Sequence, residues 1–421
     1  MKFLYCATRW HHPPFTGRER MISQVLKYCL DMGETSLAAF SSDDPASTDP
    51  LDDRLASKFR LSDNSILGAL GSFIRHPTYP LQAHLLSSGS AAAKLETTIL
   101  EFKPDIVIFD MLRTMASAVH IRQRFPNLPM LIDLDDMLSL RYDRMLKASN
   151  HRIDSTFADR IPKSLRGITS LAPAAALAAE RLLMRRAERR ISTIFDGALM
   201  VSSREATNLQ TYMPPDFKIT PMPPAADRTP TVSVFERKIP TRAIFMGNAK
   251  QYANADTLLR LDKIADDFKF RSPNSTLRFE SAGVKNDNLH LKHVKQIGFI
   301  DNIETFLHDG AIFVAPITTG TGIKLKIIDA MLNGVPVMTT DIGAEAIEVF
   351  PRDHYLHCET NAEFVDSLLR IESGEISIDQ LQGMATTARQ TISVKHDNAM
   401  LQKSFQAAVD AAISRRALLA Q

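Results

Sequence analysis

The chain has 421 residues, of which 44% are hydrophobic and 23% charged, and its formal net charge is +2. That length and composition exclude a disordered chain and fit two globular domains, each able to bury a core. A charge so close to neutral argues against a nucleic-acid partner.

Lys2–Ala7 is apolar enough for a first strand. The loop TRWHHPPFTG follows, and Ile22, Val25, Leu26 and Cys29 then recur at helical spacing from Arg18 to about Met32, with Gly33 closing the helix. His11 and His12 read as a solvated loop pair, because sequence neighbours rarely point at one metal ion. Leu37–Phe40 is a second strand, Ser41–Asp53 a polar surface loop, and the stretch to about Phe102 a helical region. Residues 104–109 form the next buried strand, Thr114–Phe125 a helix, and Met130–Leu134 a strand running into Asp133, Asp135 and Asp136. Carboxylates at the end of a parallel strand sit where open α/β sheets hold ligands. They also bind divalent metals or cap the next helix.

Arg141–Arg190 carries a net charge of +7 in a chain whose total is +2. It reads either as a solvated helical face or as a basic, partly apolar surface that meets anionic lipid. Gly197–Ser202 is a strand and Arg204–Thr211 a helix; the prolines from Pro214 to Pro240 then mark a domain linker. The α/β pattern restarts with strands at Ala243–Gly247, Thr276–Ser281 and Val294–Phe299, and helices after Asn254, Ile303, Gly322, Ala344, Asn361 and Ile378. The last helix carries Phe405, Val409 and Ile413 at helical spacing and is expected to pack back onto the protein.

The most informative stretch is Ala311–Thr340. It reads as a buried strand (Ala311–Ile317), a Gly/Thr loop (Thr318–Gly322), a helix (Ile323–Asn333) and a second buried strand (Val335–Thr340). Lys326, Asp329 and Asn333 share one narrow sector of an otherwise apolar helix. Free amides at the helix N-terminus, the helix dipole and a lysine make a phosphate site. A carboxylate one turn on can take hydrogen bonds from sugar hydroxyls. A structural Lys–Asp pair at i, i+3 reads equally well from this stretch alone.

Three cysteines (Cys6, Cys29, Cys358) are odd in number and widely spaced, which fits reduced thiols and not a disulfide framework or zinc site. The N-terminal apolar run is too short for a signal peptide, and no stretch approaches the ~18 apolar residues of a spanning helix. The expected location is therefore cytoplasmic, with contact to the inner face of a membrane left open.

The segment PITTGTGIKLKIIDAMLNGVPVMTTDIGAEAI resembles the donor-site signature of retaining GT-B glycosyltransferases of the family-4 type (glycosyl transferases group 1). Lys326, Asp329, Ala330, Met331, Gly334, Pro336, Val337, Thr340, Gly343 and Glu345 match it in order and spacing. FMGNAKQYANADTLLRL resembles the first strand and helix of that family's C-terminal domain, and FDGALMVSS the strand that ends its N-terminal domain. The resemblance implies an α/β protein of GT-B type, two Rossmann-like domains with parallel sheets facing a central cleft. The expected divisions are 1–215 as the acceptor-side domain, 216–240 as linker, 241–395 as the nucleotide-sugar domain and 396–421 as a helix packing back.

The resemblance further implies roles for residues. Lys326 would hold the donor diphosphate and Asp329 the ribose hydroxyls. Thr319, Gly320, Thr321 and Gly322 would reach the distal phosphate and sugar, with Lys324 and Gly247 also at the donor, and Phe299 and Ile300 near the base. Gly17 would let the first loop approach the diphosphate, and Asp136 sits near where many members place a histidine over the donor sugar. Where the family has two glutamates, this chain has Thr321 and Asp329, so one carboxylate is shortened and one is absent. The implied reaction is sugar transfer from a nucleotide sugar to a saccharide or lipid-linked acceptor with retention, as in surface polysaccharide synthesis. It needs no cofactor beyond the donor and no metal. The alternative is a catalytically silent GT-B protein that binds a nucleotide sugar or partner enzyme. A dinucleotide oxidoreductase or P-loop enzyme fits poorly, since the third glycine of the one and the Gly-Lys-Ser/Thr of the other are missing.

Overall fold

Short apolar runs become parallel strands in both halves of the chain. The structure is a computed structural model that describes residues 1–13, 17–41, 49–147, 173–226, 238–300, 302–307, 310–319 and 322–420. It divides into two units, one of Met1–Ala225 with Asn398–Gln421 and one of Ala226–Asp397.

The sheet of the first unit comprises β1 (Lys2–Ala7), β2 (Glu34–Phe40), β3 (Ser57–Leu61), β4 (Ile106–Asp110), β5 (Met130–Asp133), β6 (Gly197–Met200) and β7 (Lys218–Pro221). Their order is β3-β2-β1-β4-β5-β6-β7, all parallel, so the order reverses between β1 and β4. The central strands are buried throughout because helices cover both faces. Those helices are α1 (Gly17–Met32), α2 (Ile66–Arg75), α3 (Leu81–Leu85), α4 (Gly89–Phe102), α5 (Met115–Arg124), α6 (Leu138–Lys147), α7 (Pro173–Glu188) and α8 (Ser203–Gln210).

Several expectations need correction here. The helical region before Phe102 contains a strand, β3, whose SKFRL sequence buries only Leu61 because it lies at the sheet edge. The expected linker contributes β7, the opposite edge strand, where Pro221 costs no ladder hydrogen bond to a further strand. Gly33 does close α1, its N–H donating to Cys29 O at 2.9 Å, but without a left-handed backbone; a Cβ there would strike the Met1 carbonyl oxygen. His11 is not solvated but fully buried, 3.6 Å from Asp52 and 3.7 Å from Asp49, while His12 pairs with Asp49 at 3.0 Å.

The second sheet comprises β8 (Arg242–Met246), β9 (Arg278–Ala282), β10 (Val294–Gly298), β11 (Ala311–Ala315), β12 (Val337–Thr339) and β13 (Leu356–His357). The order β10-β9-β8-β11-β12-β13 reverses between β8 and β11, again with parallel pairing throughout. Its helices are α9 (Tyr252–Arg271), α10 (Ile303–Leu307), α11 (Leu325–Leu332), α12 (Asp341–Ala344), α13 (Asn361–Glu372) and α14 (Ile378–Lys395). The helix expected after Ala344 instead ends there, because Ala346 and Glu348 take φ of 65° and 58°, which no right-handed helix accommodates. Finally α15 (Asn398–Leu419) returns to the first unit, where Leu401, Phe405, Val409 and Ala412 join the core around Phe3, Tyr5 and Tyr28.

Candidate functional site

In each unit the carboxyl ends of the strands beside the reversal point are where an open α/β sheet accommodates a ligand. In the second unit those are the ends of β8 and β11, and the helix after β11 is α11. Ile327, Ile328, Ala330, Met331 and Leu332 bury this helix, which fixes its rotation. Gly334 closes it at φ 69°, with its N–H donating to Met331 O at 2.9 Å and Val335 N–H to Ala330 O at 3.0 Å. Only glycine takes that conformation without strain. Thr340 and Gly343 of the motif serve the fold: Thr340 Oγ1 donates to Ile317 O at 2.6 Å and accepts from Gly343 N–H at 3.0 Å.

Lys326 does not form the i, i+3 pair with Asp329 that the sequence left open. Its ammonium donates to Asn254 Oδ1 and lies 4.5 Å from the centroid of the buried Phe245 ring of β8. Asn254, in the first turn of α9, is held by its own donors to Asn248 O (3.0 Å) and Gln251 Oε1 (3.2 Å). Among the described residues no carboxylate pairs with Lys326. Burial, with the charge of Lys324 beside it, pulls its pKa from the ordinary 10.5 down to about 7. The protein thus holds a desolvated cation whose environment lacks the negative charge that would stabilise it.

The loop between β11 and α11 supports the same position. Lys324 is the N-cap residue and its Nζ donates to Gly322 O at 2.7 Å; Gly322 itself has φ 68°. Thr318 Oγ1 donates to Asp256 at 2.8 Å, and the buried Thr319 Oγ1 has no hydrogen-bond partner among the described residues. Gly320 and Thr321 lie outside the described residues. Asp329 is partly exposed one turn beyond Lys326, and its carbonyl accepts from Asn333 Nδ2 at 2.7 Å. Gly247 directly follows β8; a Cβ there would come within 2.9 Å of Asn254 Cγ and displace the partner of Lys326. Phe299 is 75% exposed just beyond β10, whereas Ile300 rests partly on the core. Lys324, Lys326, Gly247 and Asn254 therefore come together, with Thr319, Gly322 and Asp329 on the flanking loop and helix.

The first unit has a different arrangement. Arg18, in the first turn of α1, donates through Nε to Asp110 Oδ1 at 2.8 Å and through its terminal nitrogens to Asp110 and to Asp133 Oδ2 (2.8 Å). Asp135 lies 3.3 Å from the same guanidinium. Asp110 also accepts from Thr8 N–H at 2.7 Å, and Asp133 from Tyr5 O–H at 3.1 Å. Burial raises the pKa of Asp110, but Arg18 and Thr8 outweigh it and hold that carboxyl below its usual range. Asp133 is raised by burial, and Asp135 is pushed to about 6 by burial together with Asp136 and Asp133. Asp136 itself is buried and bound by Arg141, with Nε 3.0 Å from Oδ2. Gly17 is the exposed first residue of α1. Sequence reading passed over Arg18, Asp110 and Asn254. Asp110 carried a usable signal, a carboxylate closing the apolar run IVIF.

Half of the strongly basic segment, residues 148–172, falls outside the described residues. At its described ends, Arg181 and Lys147 both pair with Asp143, at 2.7 and 2.8 Å, and Arg189 stacks 4.2 Å over Tyr212. Among the described residues the groups close enough to share a metal ion are Asp341, His357 and Glu359, all on the surface; His357 Nε2 lies 3.0 Å from Asp341 and 3.1 Å from Glu359. No helix among the described residues is long and apolar enough to cross a membrane.

Residues 240–373 match the family model described as glycosyl transferases group 1. Among solved structures, the chain is similar to sucrose-phosphate synthase from Thermosynechococcus elongatus (12% identity, TM-score 0.66, all of both chains covered). It is similar to HepE from Anabaena in complex with UDP (16% identity, TM-score 0.60, 96% of this chain and 98% of that one). The lipopolysaccharide outer core galactosyltransferase WaaB in its apo form is a third (16% identity, TM-score 0.61, 97% and 99% covered). No curated protein matches the sequence. The two parallel-sheet units have the GT-B fold of these structures.

Proposed function

We propose that this chain, a GT-B glycosyltransferase whose residues 240–373 belong to the glycosyl transferases group 1 family, moves a hexose from a nucleotide sugar to a saccharide or lipid-linked saccharide with retention. The observation that carries the reading is Lys326. A desolvated ammonium beside helix-terminal amides, with no carboxylate paired to it among the described residues, is completed by a diphosphate. Structures of HepE hold UDP and UDP-glucose, which favours a uridine donor as the first to try.

In this reading Lys326 and the amides of the Thr319–Gly322 loop bind the diphosphate, with Lys324 beside them. Asp329 takes the ribose hydroxyls, and Phe299 and Ile300 flank the base. Negative charge grows on the diphosphate as the bond from the anomeric carbon to its oxygen breaks. Groups fixed before the reaction stabilise that charge without reorganising, so the contribution is electrostatic. The acceptor oxygen bonds to the same face of the anomeric carbon and its proton passes to the departing phosphate oxygen. No protein base and no metal is required for that balance. Gly17 and Asp136 belong to the acceptor-side unit. The expected setting is the cytoplasmic face of a membrane, in polysaccharide synthesis.

The test is incubation of purified protein with UDP-, GDP- and dTDP-sugars and a pool of saccharide and lipid-linked acceptors. Transfer from one donor, with the product's anomeric configuration matching the donor's by NMR, supports the reading. Binding of a nucleotide sugar without transfer or hydrolysis establishes the silent GT-B alternative, and inversion removes the retaining mechanism.

A further inference from the structure

The chain leaves β11 at Ala315 and enters α11 at Leu325. Its first steps on that path are not held by a strand ladder, yet three successive residues are each gripped by a side chain from elsewhere. The Pro316 carbonyl accepts from Arg260 Nη1 at 3.2 Å and the Ile317 carbonyl from Thr340 Oγ1 at 2.6 Å. Thr318 Oγ1 donates to Asp256 Oδ2 at 2.8 Å. Arg260 and Asp256 stand at i, i+4 on α9, so one helix supplies two of the three grips from one face. Thr257, Leu258, Leu261, Ile264 and Phe268 bury α9 and fix its rotation. The same helix carries Asn254, the hydrogen-bond partner of Lys326.

Asp256 is the odd member. Arg260 also ties down the start of α13, giving Nε to Asn361 Oδ1 at 2.8 Å and Nη2 to the Glu359 carbonyl. Thr340 caps α12 through Gly343 N–H. Both therefore serve the fold whatever the loop binds. The Asp256 carboxylate has Thr318 alone as hydrogen-bond partner among the described residues, and Thr318 is exposed. As a charge it is adverse, because a carboxylate at the start of an anion-binding loop weakens the binding. What it supplies is direction. Thr318 precedes Thr319, whose buried hydroxyl has no hydrogen-bond partner among the described residues, so holding the one sets the aim of the other. Donors fixed before a ligand arrives cost no reorganisation when it binds.

We infer that Asp256 is a positioning residue, which through Thr318 aims the start of the β11–α11 loop at the donor diphosphate without touching the diphosphate itself. The inference rests on the proposed donor reading of that loop. The experiment is titration calorimetry of the full chain with inorganic pyrophosphate and with UDP. It compares wild type, Asp256→Asn and Asp256→Ala, each with Thr318 intact and with Thr318→Val. Both Asp256 variants lose the charge, so the difference between them reports the acceptor alone. Asp256→Asn is expected to bind both ligands at least as tightly as wild type, since asparagine keeps an oxygen for the Thr318 hydroxyl. Asp256→Ala should bind them about three- to tenfold more weakly than Asp256→Asn. In the Thr318→Val background that difference should vanish. The two Asp256 variants should melt at the same temperature. Equal binding by them overturns the assignment, as does a difference that survives Thr318→Val. A lower melting temperature for Asp256→Ala alone also overturns it, because the pair would then be structural. A wild type that binds neither ligand overturns the donor reading and this inference with it. Binding that is insensitive to the choice between asparagine and alanine overturns this inference and leaves the donor reading standing.

Discussion

The pH dependence of donor binding tests Lys326 directly. Its pKa in the free protein is about 7, so above that pH the amine is mostly neutral. A diphosphate in contact favours the ammonium and returns the pKa toward or beyond its ordinary 10.5. Binding above neutrality therefore takes up a proton. Affinity should fall by up to about tenfold, roughly 1.4 kcal/mol, for each pH unit above 7, and be flat below it so far as this lysine is concerned. Calorimetry of a UDP-sugar in buffers of different ionisation enthalpy counts the protons. At about pH 8 the expected uptake is about 0.9 per ligand, and at pH 6 about 0.1. In Lys326→Met the uptake disappears and affinity drops by roughly 1.5–3 kcal/mol. The free protein gives the opposite sign. The folded pKa lies below the unfolded one, so between about 7 and 10.5 the unfolded chain binds more protons and stability rises with pH. Lys326→Met should accordingly stabilise the free protein at pH 7, by about 1–3 kcal/mol once the shift is discounted for partial exposure. Equal proton counts for wild type and Lys326→Met would remove this residue from the diphosphate site.

Asp329→Ala separates the two halves of the donor: nucleoside diphosphate binding should weaken by about 1–2 kcal/mol while binding of inorganic pyrophosphate stays unchanged, as titration with each would read. Equal losses on both would refute a ribose contact. In the first unit, the folded pKa of Asp135 is raised from 3.8 to about 6, so its protonated form supports the fold and that support is lost as pH rises through 6. Asp135→Asn should then gain about 1–2 kcal/mol in urea unfolding at pH 7–8 and nothing near pH 4, because the neutral amide escapes the charge cost and asparagine tolerates the left-handed backbone. A gain of the same size at both pH values would mean that charge is not the cause; Asp135 stands at φ 66°.

What the sequence disclosed followed from local pattern. The apolar runs around Ala311–Ala315 and Val337–Thr339 are the buried strands that flank α11, and Lys326 could be placed on that helix because spacing alone fixes its face. What spacing does not fix is where a side chain goes once the helix is docked. Lys326 turns to Asn254, 72 positions earlier, and Arg18 to Asp110, 92 positions later. Those pairings exist only because parallel strands bring distant carboxyl ends together. The strand β3 escaped notice for the converse reason. At a sheet edge, hydrogen bonding to β2 holds SKFRL in place with a single buried side chain, so no apolar run is needed. His11 looked solvated because its neighbours are loop residues, but Asp49 and Asp52 come from beyond β2 to meet it.

The first six strands of the first sheet follow the same order as the six of the second, and the electrostatics at the two reversal points are opposite. At the first, one arginine faces three aspartates, and every carboxylate of the three has that guanidinium within 3.3 Å. An anion entering there would meet three carboxylates whose shared guanidinium is already engaged by all of them, and it would be repelled. Neutral hydroxyl groups would not be, and Asp135, its side chain 21% exposed, is the member of the cluster open to them. At the second, a lysine lies over an aromatic ring with an amide as its hydrogen-bond partner, so a phosphate placed there would restore the charge that burial has taken from it. In the proposed reading, one fold used twice would present a hydroxyl-tolerant edge and a phosphate-binding edge. In the proposed transfer the first would serve the acceptor and the second the donor.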